Sequence, residues 1–574
     1  MAYIVKRKVK NHIYYYLAVS ARVNGKPRIV SKKYLGKAEN ISSAFEVGEL
    51  KAENSTVYDL GAVLALFDIA ERLGIREIID QHANKRNQGL PVSDSILLAA
   101  INRAVMPKSK NSFYAWFAHT VLDSCFPEAS KENLSSQGFW NNMEQLDQAA
   151  IRSIEDDITR VVVNQYNIRT DCLLFDNTNF FTYMDTDNPS ALSKRGHSKE
   201  KRSDLKIIGL SLMVSPDHSI PLFHETYPGN ANDAKRFADV LPYLKDRYRK
   251  LGRGDCDVTL VFDRGNNDED NINDILQDVP VKFHFVGGLR LNQCSEMQTI
   301  PISSLEPLKD EALRETTACR TIKNVYGRDF TIVMTYNPEL FKTQLRGVSN
   351  NIAKCGEKLR LLNESLLKWS NGEVRRGRKP SRAGVLKNVS SILSAEHMKE
   401  VYEYSVGMQK GNITLVYDLN PDKLELLKQN TLGRSFLFTD HSDWTNEQIV
   451  GAYRSQYHVE DAFKRMKDTK FLTFRPIFHF TDSKIRVHAF YCVLAYMLTS
   501  LLNLEFEELG IKVSIPKMLD CLQNARQIIT ILHKANDSKG KPLSSFSGLE
   551  GIANIYINKY KLLRYVNLGT TYEG

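Results

Sequence analysis

Cysteine is scarce and scattered: eight in 574 residues, with no Cys-x-x-Cys pair. That pattern argues against a disulfide framework or a thiolate zinc site and fits a reducing compartment, so a cytoplasmic location is expected. No apolar run reaches the length of a membrane span. The most apolar stretch, residues 489–502, has the length of a buried core helix. The segment Met1–Lys8 carries no signal-peptide core, so no membrane partner is expected. Internal repeats are also missing. The charge is not strongly one-sided: 77 Lys and Arg against 67 Asp and Glu leave +10, which permits a polyanionic partner without requiring one. What is present is ordinary globular composition at a length that calls for several domains.

Residues 1–50 alternate apolar and polar around an Asn24-Gly25 turn and read as a small β-hairpin unit. Residues 51–165 are helical in pattern, with loops such as Pro107–Asn111 between the apolar stripes. Residues 166–290 give three strands, a helix, a strand, a helix and a strand. This α/β order is that of a ribonuclease H-like catalytic core, in which the first and fourth strands lie side by side. The interval before the next chemically informative helix is too long for one loop. Residues 291–440 therefore read as an inserted subdomain, mostly β, with a long helix and a basic loop. Residues 441–505 return to the core, and 506–574 form a C-terminal helical region.

Three acids stand out. Asp176 ends the apolar run Cys172–Phe175, and Asp263 ends Val258–Phe262. Either one alone is equally well read as a turn or helix cap. Glu460 lies in a helical stretch that starts at a capping box, Thr445-x-x-Gln448. Tyr453, Gln456, Glu460, Lys464 and Lys467 recur at steps of three or four and predict one polar face, opposite Val459, Phe463 and Met466. Carboxylates from two strand ends and one helix are a donor set for a pair of hard divalent cations, which suits phosphoryl displacement.

The helix resembles the motif Tyr-x2-Arg-x3-Glu-x6-Lys of bacterial insertion-sequence DDE transposases, through Tyr453, Gln456, Glu460 and Lys467. Phe175-Asp176-Asn177-Thr178, Phe262-Asp263-Arg264-Gly265, Tyr227-Pro228-Gly229-Asn230, Arg475–His479 and Ile485–Phe490 resemble that family in the same order. The resemblance implies a cut-and-paste DNA transposase with Asp176, Asp263 and Glu460 as catalytic, metal-holding residues. It implies two Mg²⁺ ions, with Mn²⁺ as a substitute, and double-stranded DNA partners: the terminal inverted repeats and the target. A homodimer on DNA follows from it too, in a bacterial cytoplasm and on the nucleoid when DNA-bound. The helical N-terminal region would serve end binding or dimerisation. Where the family has Arg this chain has Gln456, a phosphate contact without charge.

DNA contacts are expected from Tyr453, Gln456, Lys464 and Lys467. The basic run Arg375, Arg376, Arg378, Lys379 and Arg382 would add to them, as would Lys194 and Arg195 between the first two strands. His197 and His458 are read as contacts or packing. A ribonuclease H-like nuclease would share the acids but lack the insertion and the Tyr-to-Lys helix. A domesticated, silent DNA-binding protein usually loses an acid, and here all three are present.

Overall fold

In the computed structural model the described residues are 2–9, 12–23, 26–36, 51–86, 88–185, 187–196, 202, 204–250, 257–277, 282–374, 377, 379–409, 411–533 and 541–566. The chain divides into two units, Leu146–Met497 and Met1–Gln145 with Leu498–Gly574.

The first of these units is a mixed α/β structure around a nine-stranded sheet. Its strands, in chain order, are β1 (Cys172–Phe181), β2 (Ile207–Val214), β3 (Pro221–Pro228), β4 (Val258–Phe262), β5 (Phe283–Leu289), β6 (Glu306–Pro307), β7 (Thr317–Val325), β8 (Arg328–Tyr336) and β9 (Arg434–Thr439). The spatial order is β6-β7-β8-β9-β5-β4-β1-β2-β3. β1, β4 and β5 run parallel and every other pairing is antiparallel. β4 is Val-Thr-Leu-Val-Phe, buried at every position, as a parallel strand covered on both faces must be.

Helices α1 (Gln148–Gln165), α2 (Asp233–Lys250) and α3 (Glu269–Leu276) accompany this sheet. They are followed by α4 (Pro338–Ser370), α5 (Arg382–Ile392), α6 (Pro421–Asn430), α7 (Asn446–Arg454), α8 (Tyr457–Met466) and α9 (Asp482–Glu508), the last belonging to this unit as far as Met497. α9 is long and apolar enough to cross a membrane, but 89% of its most apolar window is buried inside the protein. It is a core helix, longer than the apolar run suggested.

The interval between β5 and α7 differs from a separate β insertion. β7, β8 and β9 continue the main sheet, with β9 pairing along β5 (Phe438 opposite Gly287). Ile332, Val333 and Met334 are buried on both faces of β8. A strand of that kind needs neighbours on both sides, which the main sheet supplies, and β5 is thereby spared an open edge. What separates is the stretch between β8 and β9. There α4, α5, α6 and the hairpin Tyr402–Gln409/Asn412–Leu419 enclose their own apolar cluster, including Val348, Leu359, Val389 and Leu415. This lobe is more helical than β.

In the other unit, Ala2–Val9, His12–Val23 and Lys26–Gly36 make a three-stranded antiparallel sheet rather than a hairpin. Helices Gly61–Arg72 and Val92–Val105 supply much of the apolar core; all fourteen residues of the second are buried. Asp68, fully buried, accepts from Arg72 Nε (2.8 Å), Arg564 Nη2 (2.7 Å) and Tyr565 Oη (3.0 Å). Two boundaries move. Lys51–Asp59 is a strand paired with Arg526–His533, which pairs in turn with Lys541–Ser547. Neither residues 51–165 nor residues 506–574 are therefore wholly helical. The alternation Ile528–Ile531 also suits a helix over so short a run, and its partner lies almost the whole chain away.

Behind β3, α1 and α2 share a buried ion network. Glu155 Oε2 accepts from Arg247 Nη1 at 2.8 Å, and its Oε1 lies against His224 Nδ1. Arg247 Nε also donates to Asp156 at 2.6 Å. Burial pushes the Glu155 carboxyl up, but the charges and hydrogen bonds of His224 and Arg247 outweigh it and hold the pKa below the usual range. Stability from this group is thus present above its unfolded pKa of about 4.3 and lost as the pH falls through the folded value. Glu155→Ala, which strands the buried guanidinium, will destabilise the protein by about 3–5 kcal/mol, read by urea denaturation. Glu155→Gln will flatten the loss of stability below about pH 4. An unchanged acid limb in that variant would assign the loss to other carboxylates.

Candidate active site

The register of β1 on β4 positions the site. Leu174 lies opposite Val261 and Phe175 opposite Phe262. The next residues along the two strands are Asp176 and Asp263, on chains about 4.8 Å apart. Phe175 and Phe262 both turn to one face, where each ring meets Phe237 of α2 at 5.1 Å. Alternation then sends Asp176, Thr178 and Phe180 to the opposite face. On that face Lys467 Nζ donates to Thr178 Oγ1 (3.0 Å), and Phe474 stacks on Phe180 at 4.2 Å. Asp176 is half-buried and Asp263 exposed.

α7 and α8 pack over this face. α7 opens with the capping box Thr445/Gln448, and α8 buries Val459, Ala462, Phe463 and Met466 while leaving Glu460 and Lys464 outside. The two are not one continuous helix, which corrects the single polar face. Ser455 Oγ donates back to the Ala452 carbonyl (2.6 Å), and the amides of Gln456 and His458 bond three residues back, to Tyr453 and Ser455. Such back-bonding and tightened turns bend helices.

The bend sends Gln456 inward. It is 7% exposed and its amide donates to the Phe175 carbonyl at 3.2 Å. The expectation that Gln456 meets a phosphate is corrected accordingly: its amide is committed to the β1 backbone just before Asp176. An Arg at this position would bring a charge into the interior instead of strengthening a DNA contact.

Tyr453, at the end of α7, donates its phenol to Asp263 Oδ1 at 3.2 Å. Burial pushes its pKa well up, the Asp263 carboxylate adds to the rise, and the Glu460 carboxylate adds further. The phenol therefore stays a proton donor, and Glu460 lies within the field of the same pair. Room for the ring comes from β5. A Cβ at Gly288 would meet Tyr453 Oη at 2.6 Å. Asn267 Nδ2 donates to the Gly288 carbonyl and fixes that strand against the turn after β4.

Three side chains that sequence reasoning passed over brace the two strand ends. Asn177 Nδ2 donates to Asn266 Oδ1 (3.1 Å), and Ser211 Oγ of β2 donates to Asn177 Oδ1 (2.6 Å). The available signal was a polar residue, Asn177, beside Asp176 within a strand otherwise apolar.

Of the other predicted residues, Lys464 is exposed on α8 and Arg195 is exposed beyond Lys194, whose backbone bridges Ile207. Arg382 starts α5 and its Nε donates to the Val406 carbonyl (3.3 Å). Lys379 precedes it, in the lobe built on α4. Arg375, Arg376, Arg378 and His197 lie outside the described residues. His458 meets Ser219 Oγ at 3.0 Å, and burial lowers its pKa, which is packing.

Among the described residues no three His, Cys, Asp or Glu side chains converge closely enough to cage an ion. The donor chemistry still fits Mg²⁺. This ion is commonly held by one or two carboxylates with substrate phosphates and water completing the shell, and Asp176 and Asp263 each follow the last residue of the β1–β4 pairing.

The close approach of Gly288 and Tyr453 is testable without any assay of activity. Gly288→Ala will destabilise the protein by about 1–3 kcal/mol through overpacking. In a Tyr453→Phe background the same change will cost less, because the nearest clashing atom is gone. Additive effects in that double-mutant cycle would remove Gly288 from the account of how Tyr453 is placed.

The model of the transposase DDE domain matches residues 170–498. No curated protein matches the chain. Among solved structures, a cryo-EM structure of a piggyBac transposase synaptic complex with hairpin DNA is similar at 11% identity and a TM-score of 0.36, covering 82% of each chain. The matched segment contains Asp176, Asp263, Tyr453 and Glu460 and spans more than half of the sequence, so the chain belongs to the transposase DDE domain family.

Proposed function

We propose that this transposase is an insertion-sequence enzyme of the Tyr-x2-Arg-x3-Glu-x6-Lys type. On this reading it cleaves DNA at the ends of its element and joins the freed 3′ ends to target DNA. Its core is read as ribonuclease H-like: the order β3-β2-β1-β4-β5, with β2 and β3 antiparallel and β1, β4 and β5 parallel, supports that. The observation that carries the proposal is the β1/β4 register, with Asp176 and Asp263 side by side and Tyr453 bonded to the second.

Asp176 and Asp263 are the residues that would hold a divalent cation, with Glu460 supplying the third carboxylate. When bound, a pair of Mg²⁺ or Mn²⁺ ions supplies positive charge to both the attacking and the leaving oxygen of an in-line displacement. Tyr453 keeps its proton and orients Asp263. Lys467 holds Thr178 on the face of Asp176, and Lys464, exposed on α8, meets the DNA backbone. Gln456 ties the α7–α8 bend to the β1 backbone just before Asp176. The enzyme is further read as a homodimer on double-stranded DNA, acting in a bacterial cytoplasm where its target is the chromosome.

Asp176→Asn, Asp263→Asn and Glu460→Gln will each lower Mg²⁺-dependent cleavage of an element-end duplex by about 10³-fold or more, consistent with loss of several kcal/mol of transition-state stabilisation. End binding without a divalent cation will stay within a few-fold. A variant that cleaves normally removes its residue from the site. Cleavage without any joining of 3′ ends to a second DNA would identify a nuclease and reject the transposase reading.

A further inference from the structure

The charge of the chain is not spread over it. Of 77 Lys and Arg, ten fall in residues 1–38, which contain no Asp or Glu; the remaining 67 are matched by 67 acidic residues. All of the net +10 is therefore carried by the N-terminal segment, and most of that segment is the three-stranded sheet Ala2–Val9, His12–Val23 and Lys26–Gly36. Like charges crowded on a small sheet repel one another, and nothing within the segment offsets them. Lys6, Arg7, Lys8, Arg28, Lys32 and Lys33 are all exposed, and none forms an ion pair with a carboxylate among the described residues.

The register divides these cations between two faces. Lys6 pairs with Tyr15, Lys8 with Ile13, and Ile4 and Lys33 flank Leu17 from either side, while Arg28 lies opposite Ala21. These positions share one face, which presents Lys6, Lys8, Arg28 and Lys33 across two strands, with Ile4 and Ile13 exposed among them (60% and 43%). The other face is aromatic. Tyr34 lies 6.0 Å from Tyr14 and 5.3 Å from Tyr16, Lys32 Nζ sits 4.3 Å over the Tyr16 ring, and Ala18 is fully buried. This second face also carries Arg7 and Lys32, the latter engaged over Tyr16, whereas the first presents four cations with no ring over any of them among the described contacts.

We propose that the Lys6/Lys8/Arg28/Lys33 face of this sheet is a docking surface for duplex DNA. Charge complementarity selects a polyanion, and the dimensions select its form. The outer strands, which carry the four cations, lie about 10 Å apart, a spacing that places their charges toward phosphates on the two sides of the roughly 12 Å major groove of B-form DNA. The deep, narrow major groove of an RNA duplex does not match it. The inference rests on the reading of this chain as a DNA-acting enzyme but assigns the DNA-holding charge to the sheet, not to the helical region after it, whose excess charge is nil when taken with the rest of the chain.

The test uses the full chain and a labelled DNA duplex of arbitrary sequence, titrated from about 50 to 200 mM salt. Replacing Lys6, Lys8, Arg28 and Lys33 together by Gln will reduce the slope of log affinity against log salt by about 0.9 for each phosphate no longer neutralised, and will weaken binding on the order of tenfold or more. Exchanging Lys6, Lys8 and Lys33 for Arg, which keeps charge and disturbs folding equally, will retain wild-type affinity. An unchanged slope in the Gln variant overturns the proposal. So does a loss of binding to phosphatidylserine vesicles or to an RNA duplex that exceeds the loss for DNA. Mg²⁺-dependent cleavage of an element-end duplex by the wild-type chain is followed in parallel. If it is present while the slope does not move, this inference alone has failed; if the wild type never breaks DNA, the proposed function has failed.

Discussion

The parallel pairing of β1 with β4 is the constraint on which the candidate site depends. Phe175 and Phe262 sit in register, both rings press on Phe237, and the next residue on each strand is therefore turned to the other face. A slip of one residue in either strand would bury a carboxylate against Phe237 and expose a phenylalanine. The aromatic contacts on one side of the sheet thus specify where acids emerge on the other. Asn177, Asn266 and Ser211 hold the two strand ends together just beyond the pairing, where ladder hydrogen bonds no longer do so.

The second layer of the site is held by contacts to backbone and to glycine rather than by a regular helix. Gln456 bonds the Phe175 carbonyl, Tyr453 passes over Gly288 to reach Asp263, and Asn267 fastens the Gly288 carbonyl. The Gln456 contact needs the bend at Ser455–Gln456. A straight helix through residues 446–467 would carry Gln456 outward with Glu460. The bend therefore separates two tasks that sequence periodicity had merged: anchoring, by Tyr453 and Gln456, and presentation of charge, by Glu460 and Lys464.

This explains how much was legible in the sequence. Asp263 at the end of its strand, the strand–helix order from residue 172 to 289 and the capping box at Thr445 were readable because each is a local pattern with a local cause; Asp176 instead lies mid-strand, since β1 runs on through Asn177 and Thr178 to Phe181 against β2. The helix break was not, since Ser455 and Gln456 keep helical backbone angles and nothing in their spacing marks a bend. The joining of β7–β9 to the main sheet was hidden for a different reason. Their apolar runs look the same whether they pair with β5 or only with one another, and that choice is made by an edge far away in sequence. Pairing of Lys51–Asp59 with Arg526–His533 is the extreme case. Gln456 shows the complementary error: likeness of motif gave the position the task of its usual occupant, whereas the neutral amide is suited to burial in a way that an Arg is not.

Charge divides the work between different stretches of the chain. In the proposed reaction, Asp176, Asp263 and Glu460 place negative charge where a phosphodiester, itself negative, comes. Lys467 is engaged with Thr178, and beyond residue 38 the chain balances 67 cations against 67 acids overall. An enzyme so built repels its substrate at the point of reaction unless cations are recruited there, which accords with a site of hard oxygen donors. On the same reading, the attraction that brings DNA to the protein comes from basic segments away from these acids. The N-terminal segment carries ten cations and no acid, so affinity and chemistry fall to different parts of the sequence, and salt should weaken the first far more than the second.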